Sequence, residues 1–117
     1  MESSVCGRGE EFVELRLVGE ADRGSAPSLR HQLERASGGD RHLLLDLRAC
    51  EFIDSSALAA ILFTCRELEQ KGQRLLCYGG GTQVRRIFEI SGLLGGVLGP
   101  EERGEALAQL LGPAKAP

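Results

Sequence analysis

The sequence predicts a single α/β domain in which about four helices pack on a mostly parallel β-sheet. Strand-like and helix-like hydrophobic patterns alternate about four times along the chain, which implies right-handed crossovers between parallel strands. The run Leu43–Leu47 is almost continuously apolar, as expected for a strand that is covered on both faces. The chain has 117 residues, of which 42% are hydrophobic, and this suits one domain with an ordinary core.

The N-terminal part of the chain begins with a polar segment and one clear strand. Residues 1–10 are polar, and we expect a flexible N-terminus there. Apolar and charged residues alternate over residues 12–18, which predicts a half-buried strand with Glu14 and Arg16 turned away from the core. Residues 19–22 are expected to form the loop that follows this strand.

The middle of the chain contains the clearest helical patterns. Apolar residues recur at helical spacing over residues 26–36 and again over residues 55–70. Gly72 follows the second of these segments and is expected to end that helix. Residues 74–78 are apolar and form the predicted third strand.

The C-terminal part is predicted to contain two helices and a short strand. The first helix follows a glycine loop, with Thr82 as a candidate cap. Residues 93–98 form the predicted final strand, and residues 112–117 are expected to be a flexible tail that follows a domain over residues 11–111. Glutamates from Glu101 onward favour the start of a last helix, whose predicted buried face is Ala106, Leu107, Leu110 and Leu111.

The composition points away from several functional classes. The four cysteines form no C-x-x-C pair and neither histidine lies at metal-ligand spacing, so we expect no metal, no cofactor and buried thiols at Cys65 and Cys77. A net charge of −3 gives no reason to expect direct nucleic-acid binding. The sequence has no N-terminal apolar leader and no segment of transmembrane length, so we expect a cytoplasmic protein that does not bind membranes.

The most informative segment is Phe52–Leu62, which follows an apolar run and opens a helical pattern. It places the adjacent hydroxyls of Ser55 and Ser56 at a helix N-terminus. Unpaired backbone N–H groups and the helix dipole favour negative charge at such a position, so a phosphate on one hydroxyl would be well accommodated. We interpret the segment as a regulatory switch, although Asp54 or either serine could also simply cap the helix.

An ordered series of short motifs covers nearly the whole chain. Gly19–Asp22 is similar to a G-E-L-D motif, and an apolar strand containing Asp46 leads into Phe52–Leu58. Gly72 precedes the next strand, and Val84–Leu93 is close to the pattern V-x-R-x-F-x-x-S-G-L. Through these motifs the chain resembles the anti-sigma-factor antagonists, which are small bacterial STAS-domain proteins. The resemblance implies a STAS-like domain with an antiparallel N-terminal strand.

The resemblance also implies a partner-switching cycle. The first serine after the aspartate is the family's phosphorylation site, and here that residue is Ser55. The unmodified protein would bind an anti-sigma factor that has serine kinase activity and thereby release a sigma factor, phosphorylation would break the complex, and a serine phosphatase would restore it. The family usually has Gly where this chain has Ala57, so we expect a modest change in partner fit. The residues expected to contact the partner are Glu20, Asp22, Asp54, Ser55, Ser56 and Ala57.

Two other functions are compatible with the residues. A STAS subunit could serve a transporter or a stress-sensing assembly, although such subunits often lack the serine switch. The loop Gly79–Gly81 could hold a nucleotide phosphate weakly, but the sequence has no Walker lysine, and we expect this loop to lie away from the switch. The sequence also has no G-x-S-x-G motif, and we expect no enzymatic activity.

Overall fold

The computed structural model describes residues 1–91 and 97–112. Within these residues the chain forms four strands and four helices. In chain order they are β1 (Glu2–Arg8), β2 (Phe12–Ala21), α1 (Ala26–Ala36), β3 (His42–Ile53), α2 (Ser55–Gln70), β4 (Leu75–Tyr78), α3 (Thr82–Ile90) and α4 (Arg103–Leu111). The bounds of α1 and α2 agree with the helices predicted at residues 26–36 and 55–70.

The four strands form one mixed sheet in the order β1-β2-β3-β4. β1 is antiparallel to β2, whereas β2, β3 and β4 run parallel to one another. Helical connections lead from β2 to β3 and from β3 to β4, as parallel neighbours require. The predicted α/β class, the mostly parallel sheet and the antiparallel N-terminal strand are therefore confirmed.

The first strand lies where the sequence predicted flexible chain. Residues Glu2 to Arg8 pair with Val18 to Val13, and the register shifts between Val5 and Gly7. This edge strand is held by main-chain hydrogen bonds to β2, which do not depend on apolar side chains. A polar sequence therefore gave no signal of the strand.

β2 and β3 both continue beyond their predicted ends. β2 extends to Ala21 and so includes most of the segment predicted as a loop at residues 19–22. β3 extends six residues past the apolar run that ends at Leu47, because residues as far as Ile53 pair with β2. The carboxyl ends of the two strands consequently lie side by side, where Ala21 pairs with Ile53.

The core has a large part and a small part on opposite faces of the sheet. The large cluster joins the sheet to α1, α2 and α3, and it includes Cys65 and Cys77, which are buried as predicted. On the other face, α4 packs Ala106 and Leu110 against the sheet. Their burial agrees with the predicted apolar face of the last helix, while Leu107 and Leu111 are only partly buried.

One polar residue of β2 is buried where the sequence predicted exposure. Glu14 lies under α4 and is only 2% exposed. One of its carboxylate oxygens accepts a hydrogen bond from the Tyr78 hydroxyl at 2.5 Å, and the other accepts from the Arg103 guanidinium at 2.8 Å. The alternation along β2 identified the side of the sheet that Glu14 faces, but a helix covers this side too.

The C-terminal predictions have a mixed outcome. Leu98 forms a parallel bridge with Cys77, next to the predicted strand 74–78, whereas residues 93–96 of the predicted final strand lie outside the described residues. Residues 113–117 of the predicted tail also lie outside them.

None of the helices described here has the length and apolar character needed to cross a membrane.

Candidate functional site

The parallel ends of β2 and β3 bring the candidate residues to one edge of the sheet. Glu20 pairs with Phe52, and the Asp54 N–H donates to the Ala21 carbonyl at 3.0 Å. Ser55 follows directly as the first residue of α2. Residues separated by more than 30 positions in sequence are thus neighbours at this edge.

Asp54 caps α2. Its backbone is extended, and its Oδ1 atom accepts a hydrogen bond from the Ala57 N–H at 3.0 Å. This contact settles the choice that the sequence left open among Asp54, Ser55 and Ser56 as the cap. Because the aspartate satisfies one of the unpaired N–H groups of the first turn, the helix has a side-chain cap without a serine hydroxyl.

The two serines and the following alanine differ in accessibility. Ser55 is exposed and Ser56 is half-buried. Ala57 is completely buried in the core, so its methyl group packs inward and offers no surface to a partner in the free protein. The more accessible serine at the helix start is therefore Ser55.

Two carboxylates, those of Asp22 and Asp54, belong to the same edge of the sheet as the Ser55 hydroxyl. Asp22 accepts a hydrogen bond from the Ser25 N–H at 3.1 Å, and hydrogen bonds from the backbone and side chain of Ser25 lower the pKa of Asp22. Asp22 accepts from the Ser25 N–H and Asp54 from the Ala57 N–H, so both carboxylates hold local backbone groups in place. An exposed hydroxyl at a helix N-terminus can accept a group that another active site transfers.

A shallow groove of about 590 Å³ lies between α1 and α2, with Ser56 on its wall. Its charged lining residues are Arg23 and Arg30, and the Arg30 guanidinium lies 4.2 Å from the centre of the Phe63 ring. Phe63 is 44% exposed, which is high for so large an apolar side chain. Positive and apolar surface therefore adjoins the acidic edge that carries Ser55.

Sequence reasoning missed Gln83 at this site. From the first turn of α3, its side-chain Oε1 accepts from the Ile53 N–H at 3.1 Å and its Nε2 donates to the Ile53 carbonyl at 3.0 Å. The loop before α3 was expected to lie away from the switch, but Gln83 follows that loop by only two residues and holds the peptide next to Asp54. A lone glutamine has no motif, so the sequence contained no signal of this contact.

The glycine loop is packed against its neighbours. Gly79 and Gly80 have φ values of 76° and 87°, a region that favours glycine. A Cβ atom on Gly79 would lie 2.5 Å from Cγ of Arg48. The Gly79 N–H donates to the Pro100 carbonyl at 3.3 Å, and the Gly79 carbonyl accepts from Arg85 at 3.0 Å. The Gly79 N–H, which is one of the donors that a phosphate cradle would need, is therefore already used within the protein.

A second polar cluster lies on the α4 side of the sheet. The Cys6 thiol and the carboxylates of Glu14 and Asp46 lie within 4.8 Å of one another, a spacing that could hold a metal ion. However, Asp46 accepts hydrogen bonds from Arg16 and Arg48, and these outweigh burial to lower its pKa. Burial raises the pKa of the Cys6 thiol. A metal would have to displace guanidinium groups and deprotonate that thiol, so the donor set fits a salt-bridge network better.

Comparisons with known proteins identify relatives over most of the chain. A family model described as the STAS domain matches residues 8–104. An anti-sigma-B factor antagonist of Staphylococcus aureus is 29% identical over 85 residues, which make up 72% of this chain and 79% of that protein. The unphosphorylated form of the anti-sigma factor antagonist SpoIIAA has a TM-score of 0.80 at 26% identity, covering 97% of this chain and 100% of the other. The phosphorylated form of the Bacillus cell fate determinant SpoIIAA has a TM-score of 0.72 at 25% identity, covering 92% and 98% of the two chains.

Proposed function

Since the chain belongs to the STAS domain family and is homologous to anti-sigma factor antagonists, we propose that it is an anti-anti-sigma factor controlled by phosphorylation of Ser55. In this proposal the unmodified protein binds an anti-sigma factor with serine kinase activity in the bacterial cytoplasm and so frees a sigma factor. A serine phosphatase reverses the modification. The protein itself performs no catalysis and needs no cofactor.

The observation that carries the proposal is the exposed Ser55 hydroxyl immediately after the Asp54 cap. The γ-phosphoryl group of ATP bound to the kinase would pass to Oγ of Ser55, ADP would leave, and the hydroxyl proton would go to a base of the kinase. The related SpoIIAA has been described in a phosphorylated form, which supports a phosphorylation switch in this chain.

The charge of the phosphate accounts for the switch. A phosphoserine carries about −1.5 to −2 charges, which the N-terminus of α2 tolerates within the domain. At the interface the phosphate would add to the charges of Asp22 and Asp54 and would face desolvation or like charges on the partner, which can cost several kcal/mol. A loss of about 3 kcal/mol weakens binding about a hundredfold. Release of the partner therefore requires no large conformational change.

The proposed contact surface consists of the exposed acidic edge and the serines. It includes Glu20, Asp22, Asp54, Ser55 and Ser56. Ala57 is buried, so it would not contact the partner directly. It would instead affect how closely the partner approaches the first turn of α2. The groove beside Ser56 extends this surface towards α1.

The test is phosphopeptide mapping with three proteins: the wild type, Ser55→Ala and the matched control Ser56→Ala. Each is incubated with ATP and the cognate kinase, which is first recovered with the unmodified protein from its own cell lysate in the presence of ADP. We expect label on Ser55 in the wild type and in Ser56→Ala, and no label in Ser55→Ala. Label confined to Ser56 would contradict the assignment.

Binding measurements separate the charge effect from loss of the hydroxyl. We expect Ser55→Ala to bind the kinase about as well as the wild type, because it lacks only the phosphoacceptor. Ser55→Asp should bind more weakly, since it introduces a permanent negative charge at the interface. Equal affinities of these two variants, measured by calorimetry, would argue against electrostatic switching.

A further inference from the structure

The end of β3 reaches beyond the strand that borders it. β4 pairs with Leu43–Asp46 and ends at Tyr78, whereas β3 continues to Ile53. The peptide groups near Ile53 therefore need hydrogen-bond partners other than β4 on that side of the sheet. β2 supplies the partner on the other side, where Ala21 accepts from the Asp54 N–H.

Gln83 supplies the donor and the acceptor that a neighbouring strand would have supplied. Its carboxamide accepts from the N–H and donates to the carbonyl of the same residue, Ile53, at 3.1 and 3.0 Å. Two hydrogen bonds to a single residue fix both the position and the orientation of that backbone segment. The side chain acts as a clamp even though Gln83 is itself exposed.

The clamp is continuous with the phosphoacceptor segment. Ile53 is held by Gln83, Asp54 is held by Ala21, and the Asp54 side chain holds the Ala57 N–H. Ser55 lies between these anchored points, one residue from Asp54 and two from Ile53. Its backbone is therefore placed by contacts on both sides.

We infer that Gln83 is a positioning residue for phosphorylation of Ser55, a refinement that rests on the proposed function. A kinase must bring the hydroxyl into line with the γ-phosphate, and a preformed acceptor segment lowers the entropy lost in doing so. Through Gln83, α3 and the loop before it belong to the switch. Without the clamp, the Ser55 hydroxyl is still present, but it adopts the geometry for phosphoryl transfer less often.

The test compares Gln83→Met, which removes both hydrogen bonds at similar side-chain length, with Gln83→Glu, which keeps only the acceptor. Gln109→Ala, at an exposed position of α4, is the matched control. Hydrogen exchange by NMR reports the clamp directly on the isolated protein. We expect the Ile53 amide to exchange about fivefold faster in Gln83→Met, which corresponds to the loss of about one net hydrogen bond. Gln83→Glu should retain part of this protection, and Gln109→Ala all of it.

Steady-state phosphorylation by the cognate kinase with ATP reports the positioning role. For Gln83→Met we expect kcat/KM for Ser55 to fall by up to about fivefold, because the kinase must then supply the ordering free energy that about one net hydrogen bond supplied before. A merely structural role would change the thermal midpoint without changing kcat/KM at a temperature where both proteins are fully folded. An unchanged kcat/KM, or unchanged Ile53 exchange, would overturn the inference. Failure of the wild type to be labelled on Ser55 would instead overturn the proposed function, so the two failures are distinguishable.

Discussion

At the scale of single residues, the neighbours Asp54 and Ser55 have different roles at the start of α2. Asp54 satisfies the Ala57 N–H with its side chain, while Ser55 remains exposed. A serine that capped the helix would have its hydroxyl committed to the backbone and would be less available to a kinase. Under the proposed function, Ser55 could therefore be modified while the start of the helix stays intact.

We predict that Asp54→Ala lowers the free energy of unfolding by about 1 kcal/mol, because the helix loses its capping acceptor. Urea denaturation followed by circular dichroism measures the change. Asp54→Asn keeps an acceptor oxygen and should be close to the wild type. Ser55→Ala should also be nearly neutral, and a loss as large as that of Asp54→Ala would mean that the serine takes part in capping.

At the scale of elements, α4 is attached to the sheet by a small apolar cluster and by polar contacts, among them one to a buried carboxylate. Ala106 and Leu110 supply the apolar part. Arg103, the first residue of α4, donates to the buried Glu14 of β2, which also accepts from Tyr78 of β4. The carboxylate thus joins two strands and a helix, and it has hydrogen-bond partners that compensate for its burial.

We predict that Glu14→Ala lowers the free energy of unfolding by about 2 kcal/mol, because it leaves the buried hydroxyl of Tyr78 without its acceptor. The loss should be accompanied by faster hydrogen exchange of the α4 amides, since Arg103 also loses its partner. Glu67→Ala, at an exposed position of α2, is the control and should change stability little. Equal effects of the two substitutions in urea denaturation would show that the contact does not hold α4.

At the scale of the whole molecule, one histidine couples folding to pH. His42 lies at the start of β3, and its Nδ1 atom accepts from the Arg74 N–H at 2.9 Å. Burial, together with the nearby charge of Arg74, lowers the pKa of His42 below its ordinary value of 6.5. The unfolded chain therefore binds a proton more readily than the folded protein does, and stability must fall as this site protonates.

We predict that the free energy of unfolding of the wild type decreases as the pH falls below about 6.5, through the lowered pKa of His42. Protonated Nδ1 also cannot accept the hydrogen bond from Arg74. His42→Gln should have a flatter profile between about pH 7 and 5 in urea denaturation, because it removes the titrating group. His31→Gln, at an exposed position of α1, is the matched control for this substitution. A wild-type slope retained in His42→Gln would assign the pH dependence to another group.

The sequence alone determined the helices α1 and α2 and the class of the domain. The bounds of α1 and α2 followed from apolar periodicity, because a helical face must be apolar to be buried wherever the helix packs. Parallel strands were evident from Leu43–Leu47, since a strand covered on both faces needs apolar residues throughout. The motif around Ser55 identified the candidate site, and its role as phosphoacceptor stays a prediction.

Only the tertiary structure decided which polar groups meet. Glu14 is buried against Tyr78, and Gln83 clamps Ile53; both contacts connect residues that are distant in sequence. The strand β1 pairs with β2 although its sequence has no apolar pattern. The choice of Asp54 as the cap depended on its extended backbone, with φ −107° and ψ 180°, and on the resulting contact of its side chain with the Ala57 N–H. The hydrophobic pattern of a segment indicates which of its faces is buried, and this can be seen in the sequence. A hydrogen bond requires two specific atoms at about 3 Å, and only the folded chain brings those atoms together.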